Sequence, residues 1–100
     1  MKALLEDTSL TLRFEESLLS TTVKRLHQQF SEIKEQTPQI SKVIFDISQV
    51  EMIDSLGLNF IIGMFNEAKK CGTEFRITGA SQANKKLFEL VNLNEYVPVT

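Results

Sequence analysis

Hydrophobic and polar residues follow two alternating periods along the chain, which predicts strands and helices in turn. Residues 9–14 alternate polar with apolar side chains, typical of a strand with one solvated face, and Leu4 and Leu5 are placed to form a strand paired with it. Residues 43–47 are β-branched and nearly all apolar, as in a strand covered on both faces. Residues 74–78 are a further predicted strand, which Gly79 ends.

Three other segments have the spacing of helices. The first follows the capping run at residues 20–22 and ends near Thr37 and Pro38, with an apolar face of Val23, Leu26, Phe30 and Ile33. The second is stopped by Gly72, and its predicted core face consists of Leu56, Phe60, Ile61, Met64, Phe65 and Ala68. The third follows a candidate cap at Ser81, and its side chains expected to face the core are Leu87, Phe88 and Leu90.

The order of these elements predicts the fold class. Residues 96–99, with the sequence Tyr-Val-Pro-Val, are interpreted as a final edge strand, where Pro98 is acceptable. Strands alternating with helices of these lengths predict an α/β fold, a central mixed sheet of four or five strands with helices packed on it. The 100 residues are expected to form a single domain, 1–100, with one core and no linker or repeat.

Composition and charge exclude several classes of protein. With a formal charge of −2 the chain lacks the basic balance of nucleic-acid-binding proteins. No apolar stretch approaches the roughly 20 residues that span a bilayer, so we expect no direct membrane insertion. The first residues turn acidic before a signal-peptide core could form, which predicts a cytoplasmic protein. Cys71 is the sole cysteine and is interpreted as a helix-end residue before Gly72.

Candidates for catalysis are few. His27 is the sole histidine and is expected at the surface, because it lacks the partners that nucleophilic or metal chemistry requires. Asp46 falls in a strand and Asp54 beyond the next loop, so their spacing predicts no acid-base pair. Gly57 and Gly63 lie in a helical pattern, which differs from a phosphate-binding glycine loop. We therefore expect no catalytic residue, cofactor or metal ion.

The junction between the 43–47 strand and the next helix is the most informative segment. Ser55 is predicted as the N-cap of that helix, and the simplest interpretation gives it no other role. Two neighbours favour a further role for Ser55. Gly57 removes a side chain beside the hydroxyl and lets another surface approach, and Asp54 adds a carboxylate. A rim is expected from Met52, Ile53, Leu56 and Leu58. A phosphate on Ser55 would meet the positive end of the helix, so the fold should tolerate it.

The sequence resembles the STAS domain, named for sulfate transporters and anti-sigma factor antagonists, and in particular the stand-alone bacterial antagonists. The resemblance covers nearly the whole chain and rests on residues 43–48, 53–58, 68–75 and 86–93, with the Asp-Ser-x-Gly-Leu element as its most specific part. It implies that Ser55 is phosphorylated by a partner that is both anti-sigma factor and serine kinase, of the histidine-kinase-like ATPase type. The unphosphorylated protein would bind this partner, phosphorylation would release it, and a metal-dependent serine phosphatase would reset the switch.

The resemblance also implies the docking surface. It consists of Asp54, Leu56, Gly57 and Asn59, beside a loop that carries Leu19 and Ser20. Family members usually have a Gly-x-Leu-Asp-like element in that loop. Here residues 14–20 contain no glycine, and Leu19 occupies the position of the aspartate in that element. This difference is compatible with a diverged kinase or with a pathway other than sigma-factor control.

Two other functions remain open at this point. One is a constitutive STAS subunit of a membrane transport assembly, such as a lipid ABC-type complex, in which the serine is never modified. The other is a small-ligand-binding or enzymatic domain with an apolar pocket near the Ser55 helix.

Overall fold

Four five-residue strands form a mixed sheet in a computed structural model that describes residues 1–37 and 39–100. The strands are β1 (Lys2–Glu6), β2 (Ser9–Arg13), β3 (Lys42–Asp46) and β4 (Glu74–Thr78), and they lie side by side in that order. β1 is antiparallel to β2, whereas β2, β3 and β4 are mutually parallel. This confirms the predicted α/β class and mixed sheet, with four strands among the described residues.

Three α-helices follow the strands as the sequence predicts. They are α1 (Val23–Gln36) between β2 and β3, α2 (Ser55–Lys70) between β3 and β4, and α3 (Gln82–Leu90) after β4. α1 is described as far as its C-cap at Thr37, and Pro38, where its end was also predicted, lies outside the described residues. Beyond the Cys71 C-cap of α2, Gly72 has φ +69°, in the left-handed region that favours glycine and ends a helix. Ser81 caps α3, as predicted.

The core lies between one face of the sheet and the helices α1 and α2. Alternate residues of β2, β3 and β4 are buried, as in strands with one covered face. For β3 this differs from the prediction that both of its faces are covered, because its other face carries only half-buried side chains. The ring of Phe45 stacks on Phe60 of α2 at a centroid distance of 6.0 Å and meets Phe14 at 4.8 Å, edge to face. Because these rings lie at the carboxyl ends of β2 and β3, they support the loops that leave the sheet there.

Residues 96–99 do not form the predicted edge strand. A short 3-10 helix, Leu93–Glu95, comes first, and the amides of Tyr96 and Val97 both donate back to the Leu93 carbonyl at 3.0 Å. These turn hydrogen bonds use backbone groups that a strand ladder would need. The tail makes one parallel bridge, between Ile77 and Val99.

Leu90 is also placed differently from the prediction. Its side chain is 76% exposed, whereas Phe88 is fully buried and Leu87 is half-buried. The buried face of α3 carries Asn84 and Phe88, four residues apart. Leu90 lies two residues beyond Phe88, and two residues turn an α-helix through about 200°, so Leu90 falls on the opposite side.

Candidate functional site

Asp54, and not the predicted Ser55, is the N-cap of α2. Its backbone is extended, with φ −90° and ψ −175°, and its Oδ1 accepts a hydrogen bond from the Gly57 amide at 2.8 Å. Its carbonyl accepts the first bond of the helix, from the Leu58 amide at 2.9 Å. Asp and Ser are about equally good caps. Asp54 takes this position because its carboxylate has a second oxygen, which also accepts a hydrogen bond. A serine hydroxyl has no second oxygen.

That second donor comes from the loop after β2. Asp54 Oδ2 accepts a hydrogen bond from the Ser20 amide at 2.8 Å. The two amides, Gly57 first and Ser20 next, stabilise the charged carboxylate and hold the pKa of Asp54 below its ordinary value of 3.8. Asp54 therefore joins the start of α2 to the loop at residues 17–22, here called the 17–22 loop.

Backbone hydrogen bonds join the same two segments. Leu18 forms a parallel bridge with Ile53: the Leu18 amide donates to the Met52 carbonyl at 2.9 Å, and the Asp54 amide donates to the Leu18 carbonyl at 3.1 Å. The Ser17 hydroxyl accepts from the Met52 amide at 3.2 Å. The 17–22 loop and the segment before α2 thus form one hydrogen-bonded unit beyond the carboxyl ends of β2 and β3.

Gly57 is buried beneath this unit. A Cβ built on Gly57 would lie 1.9 Å from the Leu18 oxygen and 2.7 Å from its carbonyl carbon, well inside any real contact distance. The sequence predicted that Gly57 would let another surface approach, and the surface that approaches is the chain's own backbone. Gly57 is therefore a packing requirement of the site.

Ser55 occupies the first residue of α2. It is exposed, and its hydroxyl makes no hydrogen bond within the part of the chain that the structure describes. The free amides of the first helical turn point toward this end, where the helix dipole is positive. The hydroxyl is consequently accessible to another protein and is not used in the fold.

Comparison with known proteins identifies the family. A family model for the STAS domain matches residues 2–100. The chain belongs to the STAS domain family. This confirms the resemblance inferred from the Asp-Ser-x-Gly-Leu element and its surrounding strand and helix.

Solved structures show the same fold at low sequence identity. A Thermotoga maritima protein assigned as an anti-sigma factor antagonist is 19% identical, with a TM-score of 0.86 over 98% of this chain and 83% of its own. SpoIIAA in its unphosphorylated form is 15% identical, with a TM-score of 0.81 over 99% and 86%. The phosphorylated form of SpoIIAA, from Bacillus, is 15% identical, with a TM-score of 0.75 over 99% and 89%.

The predicted docking residues of this STAS domain differ in exposure. Ser20 and Asn59 are exposed, Leu19 and Asp54 are half-buried, and Gly57 is buried. Leu56 is 50% exposed and is not part of the core face predicted for it. The observed face of α2 runs through Gly57, Phe60, Ile61, Met64 and Ala68.

An apolar rim surrounds Ser55 in part. Met52 is 64% exposed and Leu56 is 50% exposed, whereas Ile53 and Leu58 are half-buried against the core. Two exposed apolar side chains therefore lie close in sequence to the exposed serine.

Sequence reasoning missed two residues that hold the site. Within the 17–22 loop, the Thr22 hydroxyl accepts from the Leu19 amide at 3.0 Å and donates to the Ser17 carbonyl at 2.9 Å. Thr22 occupies the N-cap position of α1, but its side chain makes no capping hydrogen bond and organises the loop instead. Buried Asn84 donates from Nδ2 to the Val50 carbonyl at 3.1 Å, which ties α3 to the segment before α2. The sequence could have indicated Asn84, because it lies four residues before Phe88 and therefore on the apolar face of α3.

The other residues considered for catalysis, metal binding or ligand binding do not form a site with Ser55. His27 is exposed, as predicted, and Asp46 accepts a hydrogen bond from the Ser48 amide at 3.0 Å, which lowers the pKa of its carboxyl. Among the described residues no group of acidic, histidine or cysteine side chains could hold a metal ion, and no helix could span a membrane. An apolar pocket of about 150 Å³ opens between the C-terminal ends of α1 and α2, so it lies against the helix that carries Ser55 but at the end opposite Ser55.

Proposed function

We propose that this STAS domain is a non-enzymatic partner switch of the anti-sigma factor antagonist type, controlled by phosphorylation of Ser55. The observation that carries the proposal is the free, exposed Ser55 hydroxyl beside a hydrogen-bonded unit that the fold builds without it. The bound partner is an anti-sigma factor that is also a serine kinase of the histidine-kinase-like ATPase type. A metal-dependent serine phosphatase restores the unmodified form.

The docking surface in this proposal is the exposed end of α2 and the adjoining loop. Leu56 and Met52 supply apolar contact area, while Asn59 and Ser20 supply polar groups. Asp54 acts indirectly, because both of its carboxylate oxygens already accept hydrogen bonds within the chain. It holds the loop and the helix in the arrangement that the partner recognises.

A phosphate on Ser55 would leave the fold intact and change the contact. The group would lie at the positive end of α2, where a helix favours negative charge by about 0.3–1 kcal/mol. A charge of about −2 and three added oxygens would however need a matching basic site on a partner that binds the bare hydroxyl. Phosphorylation therefore weakens the complex at the interface, with no need to unfold either protein.

The structural relatives support this assignment at the level of fold and family. SpoIIAA, an anti-sigma factor antagonist, is known in unphosphorylated and phosphorylated forms, and both have the fold of this chain. A cytoplasmic location is part of the same proposal, because the partners named above act on transcription.

Intact-mass and phosphopeptide analysis of the protein from its native cells tests the acceptor. The comparison includes Ser55→Ala and a matched control, Ser20→Ala, which removes another exposed hydroxyl from the same surface. We expect one phosphate in the wild type and in Ser20→Ala, and none in Ser55→Ala. Phosphate at residues 20–22 instead of Ser55, or a serine that stays unmodified under varied growth and stress, would contradict the proposal. An unmodified serine would favour the constitutive transport subunit.

Binding is tested with the kinase that copurifies with the Ser55→Ala protein. Calorimetry should give similar affinities for wild type and Ser55→Ala and at least about tenfold weaker binding for Ser55→Asp, equivalent to about 1.4 kcal/mol. Equal affinity for Ser55→Asp would mean that charge at Ser55 does not control the complex.

A further inference from the structure

Within the described residues, one edge of the sheet has no partner strand. The β4 edge is partly covered by the C-terminal tail, whose Pro98 carbonyl accepts from the Ile77 amide at 2.9 Å and whose Thr100 amide donates to the Ile77 carbonyl at 2.9 Å. β1 forms the other edge, pairs only with β2 among the described residues, and is exposed along its whole length. Alternate residues of such a strand direct their N–H and C=O groups away from the sheet, ready to pair with another strand.

The sequence of β1 is complementary to itself when the strand is reversed. It reads Lys-Ala-Leu-Leu-Glu over Lys2–Glu6. In an antiparallel pair centred on Leu4, Lys2 of each copy lies opposite Glu6 of the other, and Ala3 lies opposite Leu5. Opposite charges placed across an antiparallel pair attract, and apolar residues placed across it pack together.

The side chains of this strand are free to make those contacts. Leu4 is 56% exposed and Leu5 is 45% exposed. Glu6 makes no salt bridge within the described residues, and Lys2 lies 3.9 Å from Glu15 with its side chain 73% exposed, which is a loose surface pair.

Charged residues at both ends of an edge strand usually prevent edge pairing, because two copies bring like charges together or leave charges unpaired. Here the two charged residues, Lys2 and Glu6, have opposite signs and lie symmetrically about Leu4. These charges therefore favour one alignment of two copies. A shift of the alignment by one residue would place Leu4 opposite Leu5, separate the Lys2–Glu6 pairs and turn the helix-covered faces of the two sheets to opposite sides of the joined sheet.

We propose that two copies of this chain associate through antiparallel pairing of their β1 strands, which joins two four-stranded sheets into one eight-stranded sheet. The interface has twofold symmetry, with Leu4 against Leu4 at its centre and two Lys2–Glu6 pairs at its ends. Five residues from each copy make a small interface, so the dimer is weak and forms at micromolar or higher concentration. The inference does not depend on the proposed phosphorylation of Ser55.

Sedimentation analysis of the full chain over a wide concentration range tests this with charge-reversal variants. Lys2→Glu alone and Glu6→Lys alone each convert both ion pairs into repulsive pairs, so each should dimerise about tenfold or more weakly than the wild type. An equimolar mixture of the two variants restores opposite charges across the strand pair. We expect the mixture to recover association as a heterodimer, with circular dichroism showing that each variant is folded.

Two leucine variants provide a matched pair of controls. Leu4→Lys should abolish association, whereas Leu90→Lys, at an exposed leucine on α3, should leave it unchanged. A wild type that stays monomeric at the highest concentration would overturn the proposal, as would a dimer that the single charge reversals leave intact. A β1 edge that binds an extended segment of another protein, with no self-association, would also overturn it.

Discussion

Gly57→Ala is the substitution that most directly tests how the site is built. The added methyl would lie 1.9 Å from the Leu18 oxygen, and ordinary contact begins at 3.4 Å, so this carbonyl would need to retreat by about 1.5 Å. The same oxygen accepts the Asp54 amide at 3.1 Å, and Leu18 is fully buried. The retreat therefore breaks the bridge between the 17–22 loop and the start of α2.

Two opposing effects set the size of the stability change in Gly57→Ala. Alanine is favoured over glycine inside a helix by about 1 kcal/mol. Overpacking a well-packed site costs about 1–3 kcal/mol, and loss of the backbone hydrogen bond adds about 1 kcal/mol. The clash dominates because the atom it meets belongs to backbone, which has no alternative rotamer. We expect Gly57→Ala to lower the free energy of unfolding by about 2 kcal/mol.

Gly63→Ala is the matched control. Gly63 lies in the same helix, and a Cβ built on it meets nothing within 4 Å. It should raise the free energy of unfolding by about 0.5–1 kcal/mol through helix propensity alone. Equilibrium unfolding in urea measures both variants, and hydrogen exchange of the Asp54 amide locates the damage. A Gly57→Ala protein as stable as Gly63→Ala would refute the close packing of Leu18 on α2.

Two further substitutions test the residues that support the site. Asn84→Ala leaves the Val50 carbonyl without its donor, so we expect a loss of about 1–3 kcal/mol in urea unfolding, against no more than about 0.5 kcal/mol for exposed Lys85→Ala. Asp54→Asn replaces one acceptor oxygen by an amide nitrogen that cannot accept from Ser20, so exchange of the Ser20 amide should accelerate. Because the pKa of Asp54 is lowered by folding, its carboxylate stabilises the wild type fully above pH 3.8 and progressively less as the pH falls below that value. Asp54→Asn should therefore lose less stability on acidification than the wild type, and an identical acid profile would contradict this assignment.

The sequence predicted the main elements because each leaves a local pattern. Alternation identified β2, and the apolar runs identified β3 and the core of α2, since the burial of a regular element repeats along the chain. The tail at residues 96–99 was misjudged because its composition suits a strand. The amides of Tyr96 and Val97 are instead used by the preceding 3-10 turn, which a local sequence pattern does not report.

The sequence singled out the segment from Asp54 to Gly57, but the contacts inside that segment were not predictable. Asp54 and Ser55 are adjacent and equally suited to cap a helix, so the choice depends on Ser20, which is distant in sequence. The need for glycine at position 57 depends likewise on Leu18. Both contacts exist only because β2 and β3 are parallel neighbours that release their loops at the same edge of the sheet.

Capping by Asp54 separates the stability of the site from the chemistry of Ser55. If Ser55 capped α2, its modification or replacement would remove the cap and cost about 1 kcal/mol, so loss of partner binding could reflect a frayed helix. Because the Asp54 carboxylate accepts both hydrogen bonds, replacement of the exposed Ser55 by alanine should change stability by no more than about 0.5 kcal/mol. A change in partner affinity in Ser55→Asp then reports on the interface alone. The same separation would let a cell add and remove a phosphate repeatedly without unfolding the domain that carries it.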